Sequence, residues 1–215
     1  MHRHVFNALL LSAGLAMPTA GFAQVSEFLK RTPDQLLESY RRAAAMGEPA
    51  GDATYVLTHP ESYPRNDLMR LLDGLEGVAL SNSESHRARM FATAALALPG
   101  STRLSHPIPG IVVHLERIYK KADDQEVRSV AVSSMAGLVE EKQAAAFLER
   151  LARTSPEDPD YPRAVRWALH TLPVAGEEGR AAMKRLNEGE AVHDADSRAA
   201  LKELAKSDYR LKKSQ

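Results

Sequence analysis

The sequence predicts an all-α fold of about nine or ten helices, stacked as antiparallel helix pairs. Three observations indicate this fold. Apolar residues recur at intervals of three and four along most of the chain, which is the periodicity of a helix with one buried face. No window alternates apolar and polar residues over more than about five positions, as a half-buried strand would. The residues of one helix also recur, in part, 76 positions later.

The first 23 residues have the three parts of a Sec-type signal peptide. A weakly basic start precedes an apolar run from Val5 to Ala16, which is too short to span a bilayer of about 30 Å as a helix. Gly21 and Ala23 then place small residues at the −3 and −1 positions of a cleavage site before Gln24, as in secreted precursors. We expect cleavage after Ala23 and a periplasmic or secreted location in a bacterium. The alternative is an uncleaved buried or anchoring helix.

Composition limits the classes of function. The chain of 215 residues carries 28 basic and 28 acidic side chains, and this balance disfavours binding to nucleic acid or to an anionic membrane. There is no cysteine, which excludes disulfides, thiolate metal sites and cysteine nucleophiles. No stretch after the signal peptide is long and apolar enough for a membrane helix.

Residues 24–62 are assigned to an N-terminal helical cap and linker. Thr32 is a candidate N-cap and Pro33 suits the first position of a helix. This helix is predicted over Pro33–Met46, and Gly47 ends it. The connection Glu48–Ser62 that follows contains two prolines and a glycine, with a short helical turn expected around Ala53–Leu57.

Residues 63–206 are assigned to helical repeats, and a basic tail is expected over residues 207–215. Gly74 and Gly77 are expected to break or kink the first repeat helix. Asp123 or Asp124 is expected to cap the fourth. The predicted helices cover residues 64–80, 83–98, 111–122, 125–140, 142–154, 162–174, 177–186 and 196–206.

An internal repeat predicts how these helices pack. Arg87–Leu96 aligns with Arg163–Leu172 at the offset of 76, and a middle unit containing Ala131 fits between them. The second helices also match, because Leu115–Ile118 aligns with Leu148–Leu151, 33 residues later. Each helix pair is expected to bury its apolar face against the next pair. Small residues in the middle of the first helices would allow this close approach: Ala92, Ala131 and Ala168.

Residues 84–154 resemble HEAT repeats. The run Asp124–Ala131, followed by Met135 and Leu138, is similar to the first helix of that family, with an acidic start, a Val-Arg pair and a small residue three positions after the arginine. Residues 160–188 and 63–80 resemble it more weakly. The resemblance implies an α-solenoid with a binding or scaffolding role and no reaction. The alternative is a helical bundle without true repeats.

Arginines fall near equivalent places in the successive first helices, at Arg65, Arg87, Arg128, Arg163 and Arg198. In HEAT-like stacks such residues often bond to acids of the adjoining unit and form a ladder, which is the favoured interpretation. The other interpretation is a basic strip that holds an acidic segment of a partner. That strip would contain Arg87, Arg89, Arg128, Arg163, Arg166 and Tyr161. Trp167, which aligns with Phe91, is expected in the core.

The remaining candidate chemistry is weak. His86, His106 and His114 lack the spacing of a helical zinc site. Paired acids at residues 123–124, 140–141 and 177–178 lie near predicted helix ends, where the helix dipole accounts for most of them. No catalytic residue, metal ligand or cofactor is therefore assigned.

The favoured function is an exported, non-catalytic module that binds a protein or peptide partner on one face of a helical stack. An accessory or regulatory subunit of an envelope enzyme or transport complex is the second alternative. A metal-dependent enzyme with a site near His86, His106 and His114 is the third.

Overall fold

The computed structural model describes residues 27–48, 50–189, 192–193 and 195–213, with side chains described as far as residue 204. These residues form ten α-helices and no strand, with one isolated bridge between Ser101 and Leu138. The all-α prediction is confirmed. The predicted signal peptide, residues 1–23, lies outside the described residues.

The helices are α1 (Pro33–Met46), α2 (Gly51–Thr58), α3 (Arg65–Leu80), α4 (His86–Ala95), α5 (Ile111–Lys121), α6 (Gln125–Ser133), α7 (Glu141–Ala152), α8 (Arg163–Thr171), α9 (Gly176–Glu188) and α10 (Ala195–Lys213). Short 3₁₀ turns cover Pro60–Ser62, Leu98–Gly100 and Leu172–Val174. Within the described part of the chain, none of the helices combines the length and hydrophobicity required to cross a membrane.

Two helix starts follow directly from their capping residues. Before α1, the Gln35 backbone N–H donates to Thr32 Oγ1 at 3.3 Å, and the Thr32 N–H donates to the Gln35 side chain at 2.9 Å. Before α6, Asp124 Oδ1 accepts from the N–H groups of Glu126 and Val127 at 2.8 and 3.2 Å. Each cap satisfies N–H groups that have no partner inside the helix.

Three helices differ from the sequence-based expectation. Helix α3 is continuous through both of its glycines. Helix α6 ends at Ser133, not near Glu140, because Gly137 adopts a φ of 71° and its carbonyl accepts from Thr102 N–H at 2.8 Å. Helix α10 extends to Lys213, past the expected end at residue 206, since residues 207–213 contain neither glycine nor proline to stop it.

The chain divides into two compact units. The N-terminal unit comprises the described residues up to Pro99 together with Leu104–His106, and contains α1 to α4. In this unit α1 packs on α2, α3 and α4. A Cβ at Gly74 would collide with the Leu37 side chain, so this glycine allows the close approach of α1 and α3.

The C-terminal unit comprises Gly100–Arg103 and the residues from Pro107 onward, and contains α5 to α10. Helix α5 packs against α6, and α7 packs against α8. These pairs are one helix out of step with the repeat alignment, which joined α6 to α7 and α8 to α9. Neighbouring pairs are connected because α6 contacts α8 and α7 contacts both α5 and α9.

The small residues of the first helices lie where the repeat alignment placed them. Ala92, Ala131 and Ala168 are all fully buried. The larger residues four positions later are equally buried: Leu96, Met135 and Leu172. Phe91 and Trp167 are only half-buried, so these aligned aromatic residues lie at the edge of the core and not inside it.

Candidate functional site

A ladder of ion pairs connects the outer sides of α7 and α9. Glu149 on α7 accepts from Arg185 Nε and Nη2 on α9 at 3.1 and 2.7 Å. The same carboxylate accepts from Arg153 Nη2, one helical turn away, at 2.8 Å. The hydrogen bonds from Arg185 are the main reason that the pKa of Glu149 lies below its ordinary value.

The ladder continues from α7 to α5 through an equivalent contact. Glu116 on α5 accepts from Arg150 Nη2 on α7 at 3.2 Å and from Lys120 Nζ at 3.2 Å. Each glutamate thus joins a cation four residues later and an arginine 34 or 36 residues further along the chain. These larger separations are close to the 33-residue offset between the aligned segments at residues 115–118 and 148–151.

The ladder lies on different helices from those that the sequence indicated. The aligned segments at residues 115–118 and 148–151 each contain a Glu-Arg pair. This repeated pair is the feature of the sequence that indicates the observed ladder. The expected ladder of first-helix arginines is found only at Arg128. Among the described residues, no side-chain hydrogen bond or ion pair involves Arg65, Arg87, Arg163 or Arg198.

Two adjacent glutamates at the start of α7 cap two helices that both contact α7. Glu140 Oε2 accepts from the N–H groups of Ile111 and Val112 at the start of α5, at 2.8 and 3.2 Å. Glu141 Oε2 accepts from the Glu177 N–H at the start of α9, at 3.0 Å. These carboxylates satisfy free N–H groups at the positive end of each helix dipole. The pair therefore has the structural role that the sequence indicated, but toward other helices than its own.

Arg128 is the predicted binding residue with the most contacts. Its Nη1 donates to Asp160 Oδ1 at 2.6 Å and its Nη2 pairs with Asp160 Oδ2. Its guanidinium carbon lies 4.6 Å from the ring centre of Tyr119, a cation–π distance. Burial raises the pKa of the Tyr119 hydroxyl above its ordinary value. Because Arg128 is only 17% exposed, its side chain mainly joins α6 to the loop before α8.

Arg87 and Arg89 belong to the N-terminal unit and have opposite surroundings. Arg89 is 6% exposed and its Nε donates to the Ala79 carbonyl at 3.1 Å, so it joins α4 to the end of α3. Arg87 is exposed on α4. Its guanidinium occupies the space beside Gly47, where an added Cβ would lie 2.6 Å from Nη1. Only Arg87 of these two presents its charge to solvent.

The remaining predicted binding residues lie at α8. Arg163 and Arg166 are both exposed and stand three positions apart on the helix, which makes them surface neighbours. Tyr161 is half-buried just before the helix. A binding role for these residues stays a prediction, and they form a patch of only two exposed cations.

The three candidate metal-binding histidines differ in their surroundings. His86 opens α4 and His106 lies between helices, both exposed and both in the N-terminal unit. His114 lies on α5 of the C-terminal unit and is 4% exposed. The metal-dependent alternative stays untested by this placement.

An open cavity of about 650 Å³ lies beside α1 in the N-terminal unit. Two of its lining residues, Arg31 and Ser39, contact Asp52. The Asp52 carboxylate pairs with Arg31 and accepts a hydrogen bond from Ser39 Oγ at 2.9 Å. Ser39 is therefore held by hydrogen bonding to a carboxylate. The lining residues are mostly charged and include no histidine: Glu27, Lys30, Arg31, Asp34, Gln35, Glu38, Ser39 and Arg42.

Exposed residues at corresponding positions of α5, α7 and α9 fall into two sets, which we call rows, and we call the surface that carries them the ladder face. One row is basic and consists of Arg117, Arg150 and Arg185, all exposed. The second row lies one turn earlier on each helix and is apolar. It consists of Val113, Ala146 and Ala181, also exposed. Val113 is 49% exposed.

Comparison with protein family models, with curated proteins and with solved structures finds no match to this chain. Inferences about its function therefore depend on the geometry described above.

Proposed function

We propose that this protein is an exported, non-catalytic interaction module with a HEAT-like α-solenoid architecture. It holds a protein or peptide partner on one face of its helical repeats. Export to the periplasm or the cell exterior follows from the signal peptide predicted at residues 1–23, with cleavage after Ala23.

The observation that carries this proposal is the regular ladder face. Equivalent residues of α5, α7 and α9 are exposed in register, and the helices are joined through Glu116, Glu149 and the capping glutamates. Such cross-links connect the three helices over a broad surface. A broad, pre-organised surface suits a protein partner because less freedom is lost on binding.

An accessory subunit of an envelope enzyme or transport complex is the second candidate. It requires the same surface and differs only in the partner. Arg89 is buried and Arg128 is paired with Asp160. For both candidate functions, these facts favour the ladder face over the first-helix arginines as the binding surface.

The test has two steps. The tagged full chain is expressed in its native cell, and the mass of the mature protein is measured after fractionation of the envelope. We expect a chain that begins at Gln24 in the periplasm or medium. Mild cross-linking is then expected to give one discrete adduct of fixed stoichiometry. Retention of the intact chain in the cytoplasm would contradict export, and repeated recovery of the uncross-linked protein alone would contradict the interaction role.

A further inference from the structure

Cations outnumber carboxylates on the ladder face, even when Glu178, which also stabilises the charged form of Arg185, is included. Four cations share the two carboxylates of Glu116 and Glu149. The carboxylates are recessed, with exposures of 23% and 15%, whereas the four cations are 45–63% exposed. The outer layer of the ladder is therefore positive. The four cations are Lys120, Arg150, Arg153 and Arg185.

The arginines retain capacity for further hydrogen bonds. A guanidinium carries five N–H donors, and Arg150 uses one of them toward a described side chain, Glu116. Lys121 adds an exposed ammonium group beside the row. On α9, by contrast, Lys184 is partly neutralised by Glu188 at 3.8 Å. The surplus of charge is thus strongest over α5 and α7.

We take the spacing of the rows to be the usual distance between the axes of packed helices, about 8–10 Å, since α7 contacts both α5 and α9. An extended segment in the polyproline II conformation has three residues per turn and a rise of about 3.1 Å per residue. Its side chains at every third position therefore share one side, about 9 Å apart. An acidic residue at each third position would match the basic row, and small apolar residues would fit over Val113, Ala146 and Ala181.

We propose that the ladder face binds an acidic segment of the partner protein, in a polyproline II conformation with carboxylates at every third position. This inference rests on the proposed interaction function and specifies the chemistry of the partner. The charge surplus of the ladder favours carboxylates, and the match between helix spacing and polyproline II pitch favours regularly spaced ones. The apolar row favours a peptide with small nonpolar side chains over a purely charged surface.

The probe is a fluorescein-labelled peptide of four Glu-Pro-Pro units, and its binding to the mature protein is measured by fluorescence anisotropy. We expect saturable binding that weakens as salt is raised, since screening reduces the attraction. A matched peptide of four Gln-Pro-Pro units is expected to bind at least about tenfold more weakly, a difference of about 1.4 kcal/mol. A peptide of the same composition with its four glutamates clustered at one end is expected to bind more weakly than the regular peptide.

The variant protein carries Arg150→Gln and Arg185→Gln, and it is expected to lose at least about tenfold in affinity for the regular peptide. The matched control carries Arg163→Gln and Arg166→Gln, which removes the same charge from α8. We expect this control to retain the wild-type affinity within about twofold. If the first variant fails to fold, Ala146→Glu with Ala181→Glu places two repelling charges on the exposed apolar row without removing a ladder contact. The same loss of affinity is expected.

Four results would overturn the proposal. These are no binding of the regular peptide at millimolar concentration, equal binding of the clustered peptide, equal loss in the α8 control, and binding only to vesicles containing 30% phosphatidylglycerol. Failure of the proposed function is distinguishable from these. A cross-linked partner that lacks an acidic segment would retain the interaction function and reject this inference. If the protein has no partner in the cell but still binds the regular peptide through Arg150 and Arg185, the proposed function is rejected and the binding chemistry inferred here is retained.

Discussion

Substitution of Ala131 by leucine tests the packing of the repeats most sharply, because two physical effects predict opposite signs. Ala131 lies on α6 and is fully buried, as are Val127 one turn before it and Met135 one turn after it. Leucine adds three carbon atoms. If the core had space for them, their burial would stabilise the fold by about 0.8 kcal/mol each, or about 2.4 kcal/mol. In a closely packed core the same atoms force neighbours out of position and cost about 1–3 kcal/mol.

We expect the second effect to dominate, because the α5–α6 and α6–α8 contacts leave α6 packed on more than one helix. In a chain of this size a change of 1 kcal/mol moves Tm by about 2–4 °C. Ala131→Leu is therefore expected to lower Tm by about 2–12 °C, measured by circular dichroism at 222 nm and confirmed by urea titration. The control is Ala146→Leu on α7, which is exposed and is expected to change stability by no more than about 0.5 kcal/mol. A Tm for Ala131→Leu that is unchanged or raised would refute the packing argument.

Three further perturbations test individual contacts. Gly176 has a φ of 78° and an added Cβ would collide with the Glu141 carboxylate, so Gly176→Ala should destabilise the fold by at least about 1–2 kcal/mol. The control Gly77→Ala, inside α3 with open space around it, should instead stabilise the fold by about 0.5–1 kcal/mol. If both substitutions change stability in the same direction in urea titrations, these placements are wrong. Glu149→Gln should lower Tm at neutral pH, because it removes the free energy of a surface ion pair, about 0.5–1 kcal/mol. The pKa of Glu149 is depressed in the folded state from its ordinary 4.5. The contribution of Glu149 to stability is therefore present above pH 4.5 and is lost as pH falls through the lower folded-state pKa. The difference in Tm between wild type and Glu149→Gln should vanish in acid, and a difference that is constant with pH would argue against the ion pair. Arg128→Lys should destabilise the fold by about 1–2 kcal/mol, because lysine cannot form the forked contact with Asp160. Arg163→Lys on the surface of α8 should leave stability unchanged. Equal effects of the two substitutions in thermal melts would count against the role of Arg128.

Much of the fold could be predicted because it depends on local pattern. The caps at Thr32 and Asp124 need only the residues within one turn. The sequence predicts the first of them and narrows the second to Asp123 or Asp124. The buried alanines follow from helical periodicity together with the internal repeat. The early end of α6 had a local signal as well, since Gly137 is a residue type that commonly ends a helix in the left-handed region, but the apolar residues on either side of it favoured a longer helix.

The contacts of the ladder face depend on which helices lie side by side, and the sequence does not specify this directly. Glu149 is followed at once by Arg150, yet its interhelical partner is Arg185, 36 residues away. Glu140 similarly caps α5, which begins 29 residues before it. The repeat alignment pairs α6 with α7 and predicts a ladder among the arginines of the first helices. The observed packing of α5 with α6 and α7 with α8 leaves the outer sides of α5, α7 and α9 as the regular surface.

The most direct test of the central claim is site-specific photo-cross-linking in cells that express the full chain. Benzoylphenylalanine replaces Ala146 or Ala181 on the ladder face, or Arg163 or Arg166 on α8, and adducts are compared by mass after irradiation. We predict the same discrete partner adduct from positions 146 and 181, and none from positions 163 and 166. An adduct that forms only from the α8 positions, or equally from all four, would contradict the assignment of the ladder face as the binding surface.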